Sequence, residues 1–133
     1  MEYESHLILQ HLVFDEIEFK RLGFKTESEV NYGLEIQIGR DHDNQEHYKV
    51  TLVLNGKKDK EYIFKIVLSG FFEIKNAENI SDKETLIHKN AVAIMMPYLR
   101  SEVSLLTSQP ETNSIVMPIF NTFICRGYSP LQI

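Results

Sequence analysis

Val30-Asn31-Tyr32-Gly33-Leu34-Glu35-Ile36-Gln37-Ile38 decides the fold class. Apolar side chains fall at every second position from Val30 to Ile38, and Asn31, Gly33, Glu35 and Gln37 fill the places between. A strand sends successive side chains to opposite faces, so this period of two is that of a strand with one buried face. Downstream the pattern returns twice, as Tyr48, Val50, Leu52, Leu54 after a polar loop at residues 40–46, and as Tyr62, Phe64, Ile66, Leu68. Asn55-Gly56 is the dipeptide favoured in tight hairpins, so the turn between these two runs is expected there, with Lys57, Lys58 and Lys60 decorating it. The three runs read as an antiparallel meander.

The last run is expected to continue to Ile74, with Gly70 marking a bulge or a close backbone approach. Upstream, Leu12 and Phe14 alternate in one parity and Ile17 and Phe19 in the other. One extra residue near Asp15 and Glu16 reconciles them, which predicts a first strand carrying a bulge. Beyond the sheet, Ser81-Asp82-Lys83-Glu84 is a capping box that predicts a helix start, and the helix is expected to run to about Ser108, before Pro110. Its centre, residues 91–99, holds no charge, which predicts cover on more than one side. Pro97 lacks a backbone donor and crowds the carbonyl of Ala93, so a kink is expected. Residues 114–119, with Pro118 among them, read as an extended segment or edge strand and residues 127–133 as an irregular tail. The class is therefore α+β: a four-stranded antiparallel sheet followed by one long, Pro-kinked helix packed on it.

With 133 residues, 43% hydrophobic and 25% charged, the chain suits a single folded domain over residues 1–133. Its start, MEYESH, lacks the basic stretch of a secretory signal, and no apolar run is long enough to span a membrane. A cytoplasmic protein without membrane insertion is expected, and the lone Cys125 suits a reducing compartment. A net charge of −5 argues against nucleic acid as a partner.

Catalytic chemistry finds little support. Asp41-His42-Asp43 with Glu46-His47 is the densest set of metal-ligating types, but it sits in a hairpin loop without ligand spacing and reads as a solvated turn. Nothing around Cys125 resembles a nucleophile motif, and no phosphate-cradling or hydrolase-elbow pattern occurs. No enzyme, no metal and no cofactor are expected. His88, one turn into the helix, reads as a surface or interface residue. What stands out is apolar surplus: the helix centre, Met95, Met96 and Met117, and Phe71, Phe72, Phe120 and Phe123. Ordinary core with a subunit interface is one reading, and a peptide-binding groove is the other.

Several segments resemble the SecB family of export chaperones. Glu16-Ile17-Glu18-Phe19 is similar to the acidic-Ile-x-Phe of that family's first strand, and Gly70-Phe71-Phe72-Glu73-Ile74 to the Gly-x-Phe-x-Ile closing its fourth. Met96-Pro97-Tyr98-Leu99-Arg100 resembles the family's Phe-Pro-Tyr-x-Arg helix motif, and Pro118 with Asn121 its Pro-x-Asn-Phe segment. The resemblance spans roughly residues 8–123. It implies a homotetramer or dimer with the long helices between sheets, placing Ala91, Ile94, Met95, Tyr98 and Leu99 at subunit interfaces. It implies partners that are unfolded or precursor polypeptides, held by apolar grooves and strand-like contacts at Tyr32, Leu34, Ile36, Met117, Phe120 and Phe123. It also implies transfer to the motor SecA through an acidic patch.

Of that patch only Glu16 is acidic here, because its other two positions are Lys20 and Lys65. The family's second helix has no counterpart in residues 122–133, and the acidic loop at 40–47 has none in the family. These departures leave two functions open: a general holdase for export or folding, and a dedicated partner of one protein such as an antitoxin, or an interaction scaffold.

Overall fold

In the computed structural model, residues 7–41, 43, 46–75, 83–117 and 126–132 are described; of 83, 84 and 126–132 only the backbone is considered. Four strands, β1 (Leu7–Arg21), β2 (Val30–Arg40), β3 (His47–Lys58) and β4 (Tyr62–Ile74), form an antiparallel sheet with β1 beside β4. A fifth, β5 (Arg126–Gln132), adds in parallel to the outer edge of β2, giving the order β1-β4-β3-β2-β5. The expected irregular tail is thus an edge strand. Pro130 is tolerable there because an edge strand leaves one side of its backbone without a ladder partner.

The alternation in β2 does what its period demands. Leu34, Ile36 and Ile38 are buried and lie in register with Leu54, Leu52 and Val50 of β3, and these with Ile66, Leu68 and Gly70 of β4. β1 carries the expected bulge: Phe14 pairs with Leu68 and Glu16 with Val67, leaving Asp15 as the extra residue. A second irregularity lies between Leu9 and His11. The side chain of Asp15 accepts a hydrogen bond from Ser69, whose hydroxyl lies 3.1 Å from that of Thr51.

The hairpin turn is not at Asn55-Gly56. β3 runs on through Lys58, and the chain reverses at residues 59–61, with Lys60 at a φ of 65° and the Glu61 amide donating to the Lys58 carbonyl (2.9 Å). Gly56 serves packing instead: a Cβ there would stand 2.1 Å from Cζ of Phe64, whose ring crosses the strand at that point. Gly70 is likewise a site of close approach, its missing Cβ leaving room for the Met95 sulfur 3.0 Å away.

The helix opens as α1 (Lys83–Leu86), passes through a π turn (Ile87–Ala91) and continues as α2 (Val92–Leu106). Ser81 and Asp82 of the expected capping box lie outside the described residues. Helical assignment runs unbroken through Pro97, and the departure from α geometry is the π turn, a widened register. Ile87, Ala91, Val92, Met95, Met96, Leu99 and Val103 face the sheet and complete the core, the three- and four-residue spacing of one helical stripe. Residues 113–117 return along the helix as a strap: Arg100 Nε donates to the Met117 carbonyl (3.1 Å), Ser104 Oγ to the Ile115 carbonyl (2.7 Å), and the Ile115 amide to Thr107 Oγ1 (2.9 Å).

Candidate functional site

The two rims of the sheet differ in what they offer a partner. At the β2 rim, β5 pairs with Glu35, Gln37, Ile38, Gly39 and Arg40 but not with residues 30–34. The outer edge of β2 therefore receives an extended chain along one half, while its other half lies beyond the reach of β5. Tyr32 stands in that second half, half-buried, and burial pushes its phenol above the ordinary value. Close by in the core, the rings of Phe19 and Tyr62 lie 5.0 Å apart and those of Tyr62 and Phe64 6.2 Å apart, a packed aromatic end to the sheet. Burial first, then the charges of Glu61 and Tyr32, push the Tyr62 phenol up to about 12, so it stays neutral.

A buried ion pair fixes this end. Glu61 is fully enclosed, and its Oε1 accepts from Lys58 Nζ (3.0 Å), the Thr26 amide (2.8 Å) and Thr26 Oγ1 (3.3 Å). Its carbonyl accepts from the Leu22 (2.7 Å) and Gly23 (3.2 Å) amides, so one residue of the β3–β4 turn holds the β1–β2 connection in place. Burial opposes the charged carboxylate, yet the Thr26 amide and the Lys58 ammonium more than offset this, and the carboxyl titrates below its ordinary 4.5. Lys58 was expected to decorate a turn; it is instead a buried partner.

Among the residues that the sequence puts forward for binding polypeptide, Tyr32 offers surface, Leu34 is 9% exposed, and Ile36 (0%) and Met117 (1%) are core. Ile36 and Met117 are thus enclosed within the single chain. Phe120 and Phe123 lie outside the described residues. The residues expected at a subunit interface divide in the same way. Ala91, Met95 and Leu99 are fully buried within the chain, whereas Ile94 is half-buried and Tyr98 is 49% exposed on the outer side of the helix. Leu105 (68%) and Val116 (80%) extend that outer apolar surface. Met95, Met96 and Met117 are likewise buried in the core.

Glu16 lies 3.7 Å from Lys65, a partly exposed ion pair in which the carboxylate is already engaged. In the loop at 40–47 the Asp43 amide donates to Asp41 Oδ1 (2.9 Å), a turn closed on itself, and His47 lies 3.8 Å from Glu73. Among the described residues no three His, Cys, Asp or Glu side chains gather to hold a metal ion, and no helix is long and apolar enough to cross a membrane. His88 is half-buried in the π turn, and Cys125 lies outside the described residues.

Sequence reasoning missed β5. The signal was present: a proline in a short run with apolar Tyr128 and Leu131 at intervals fits an edge strand better than a tail.

No protein-family model matches the chain. An uncharacterised protein of Methanocaldococcus jannaschii is 27% identical over 120 residues, covering 88% of this chain and 77% of that one. Among solved structures, a protein of unknown function from Streptococcus agalactiae superposes with a TM-score of 0.51 at 11% identity, over 85% of this chain and 97% of that one. The SecB-like chaperone of Mycobacterium tuberculosis, solved in complex with a peptide from the HigA1 antitoxin, superposes with a TM-score of 0.73 at 11% identity, over 88% of this chain and 89% of that one. At such identity the likeness is one of architecture, and the architecture of this chain is the SecB-like fold.

Proposed function

We propose that this protein is a SecB-like chaperone that holds non-native polypeptide by taking an extended segment onto the outer edge of β2. One observation carries the reading: that edge already accepts seven residues of extended chain, Arg126–Gln132, in parallel pairing. Strand addition of this kind draws its affinity from backbone hydrogen bonds, which every polypeptide has, so it tolerates many sequences. Tyr32 and the rim of Leu34 supply apolar contact beside the edge, and Phe120 and Phe123 are expected to supply more from the segment leading into β5.

The clients are unfolded or precursor polypeptides of the cytoplasm. Transfer to SecA has less support, because Glu16 is engaged by Lys65 and the neighbouring positions are basic. Assembly into a dimer or tetramer fits the outer helix surface of Ile94, Tyr98, Leu105 and Val116, apolar area of the kind that self-association covers. A second reading, a dedicated partner of one protein, is favoured by the antitoxin peptide held by the Mycobacterium tuberculosis neighbour.

Light scattering of two or three unrelated denatured proteins, diluted with and without this protein, tests the proposal, with the assembly mass taken by sedimentation in the same samples. Suppression of all of them at near-stoichiometric amounts is the expected result. A well-folded assembly that suppresses none would sink the general holdase and leave the dedicated partner.

A further inference from the structure

The sheet face away from the helix carries a cleft of about 940 Å3 that crosses β1, β4, β3 and β2. Phe19, Phe64, Gly56 and Tyr32 form one row of its lining, and by alternation the residues on either side of that row project to the face opposite the buried Phe64. Strand register sets its surface in two rows. One row reads Lys20, Ile63, Lys57, Asn31, and the next reads Glu18, Lys65, Asn55, Gly33. In a chain of net charge −5, three lysines and one carboxylate thus converge on one cleft.

The first row holds no carboxylate, and at its centre Ile63 is 39% exposed between Lys20 and Lys57. Neighbouring strands lie about 5 Å apart, so the two lysines stand roughly 10 Å from each other with an apolar contact between them. Above Gly33 nothing approaches within 4 Å of the place a Cβ would take, which leaves the β2 end of the cleft open.

We propose that this cleft docks an acidic polypeptide segment, one that sets an apolar side chain on Ile63 between carboxylates paired with Lys20 and Lys57. Charge complementarity selects the partner: isolated carboxylates alternating with apolar residues match a row of Lys, Ile and Lys. A continuous polyanion matches less well, because Glu18 lines the cleft, Glu16 sits against Lys65, and the whole chain is acidic. Tyr32 borders both this cleft and the β2 edge, but Lys20, Ile63 and Lys57 belong to β1, β4 and β3, so the proposal does not rest on the client reading above.

The test is fluorescence anisotropy of the full chain with a fluorescein-labelled peptide of alternating Glu and Leu. A Gln-Leu peptide of equal length and an oligothymidine of equal charge serve as comparisons. The Glu-Leu peptide should bind best, with affinity falling as salt rises above ~0.1 M, where screening shortens to about 10 Å. Lys20→Glu with Lys57→Glu should weaken it about tenfold, Lys20→Gln with Lys57→Gln less, and Lys20→Arg with Lys57→Arg little. Binding of the Gln-Leu peptide and suppression of aggregation should be the same in all variants, which separates this site from the client edge. Four results would each overturn the proposal. They are no binding of the Glu-Leu peptide, binding indifferent to charge reversal, equal or tighter binding of the oligothymidine, and an assembly mass that drops on charge reversal, which would give the cleft to a second copy.

Discussion

Ending the chain at Cys125 removes β5 and opens the whole outer edge of β2 while keeping Phe120 and Phe123. Five register pairs, from Glu35 with Arg126 to Arg40 with Gln132, hold the strand. At ~1 kcal/mol net for each hydrogen bond, about five such bonds contribute roughly 5 kcal/mol. Ordering the backbone of the seven residues opposes this by ~1 kcal/mol or more each, so the two contributions nearly cancel and side-chain contacts decide the balance. Contributions this close leave the tail readily displaced, with a margin of no more than a few kcal/mol in either direction. A client that needs the edge must displace it, and its apparent dissociation constant rises by the inverse of the open fraction. A margin of about 1.4 kcal/mol makes that factor tenfold. Anisotropy titration of a labelled unfolded segment should accordingly give about tenfold tighter binding to the truncated chain. If a truncated chain with an unchanged thermal melt binds the segment no better, or more weakly, the edge is not the client's path.

Lys58→Met leaves the Glu61 carboxylate buried without its cation and should cost about 3–5 kcal/mol in chemical denaturation, whereas replacing both partners by apolar residues should cost much less. The pH dependence follows from the same group: its folded-state value lies below the unfolded one, so its contribution is present above the ordinary 4.5 and is lost as pH falls through the lower folded value. A denaturation series from pH 7 to acid should show a decline in stability that is absent in Glu61→Gln. Gly56→Ala should destabilise by ~1–3 kcal/mol because the Phe64 ring must move, while Gly33→Ala, with open space at its Cβ, should be neutral or stabilising by up to ~1 kcal/mol; thermal melts of the pair give the comparison. Tyr98→Asp with Leu105→Asp puts charge on the outer helix surface and should lower the sedimenting mass without lowering the melt of the chain; an unchanged mass would place any interface elsewhere.

Most of the architecture was legible because it rests on local period. Alternation in β2, β3 and β4 and the change of parity at Asp15 are properties of neighbouring residues, and the sheet reproduces them. What was not legible depends on contacts between distant residues. Asn55-Gly56 looks like a turn in isolation, but the Phe64 ring needs that glycine, and the strand continues past it. The family resemblance places Ala91, Met95 and Leu99 at a subunit interface, yet all three are already buried within one chain. Their outer neighbours Tyr98 and Leu105 keep the exposed apolar character.

The lysines show the same limit at its sharpest. Lys57 and Lys58 are adjacent and chemically identical, and as turn decoration they would be interchangeable. Because β3 extends through both, its pleat sends them to opposite faces of the sheet. Lys58 turns inward to Glu61 and becomes part of what holds the β1–β2 connection, and Lys57 turns outward to join Lys20 beside Ile63. Extending β3 by four residues, from Leu54 to Lys58, thus converts a run of solvated charge into one structural lysine and one that faces a partner. That division follows from register alone, which is why exchanging the two roles is informative: Lys58→Met should cost stability and spare acidic-peptide binding, and Lys57→Glu should do the reverse.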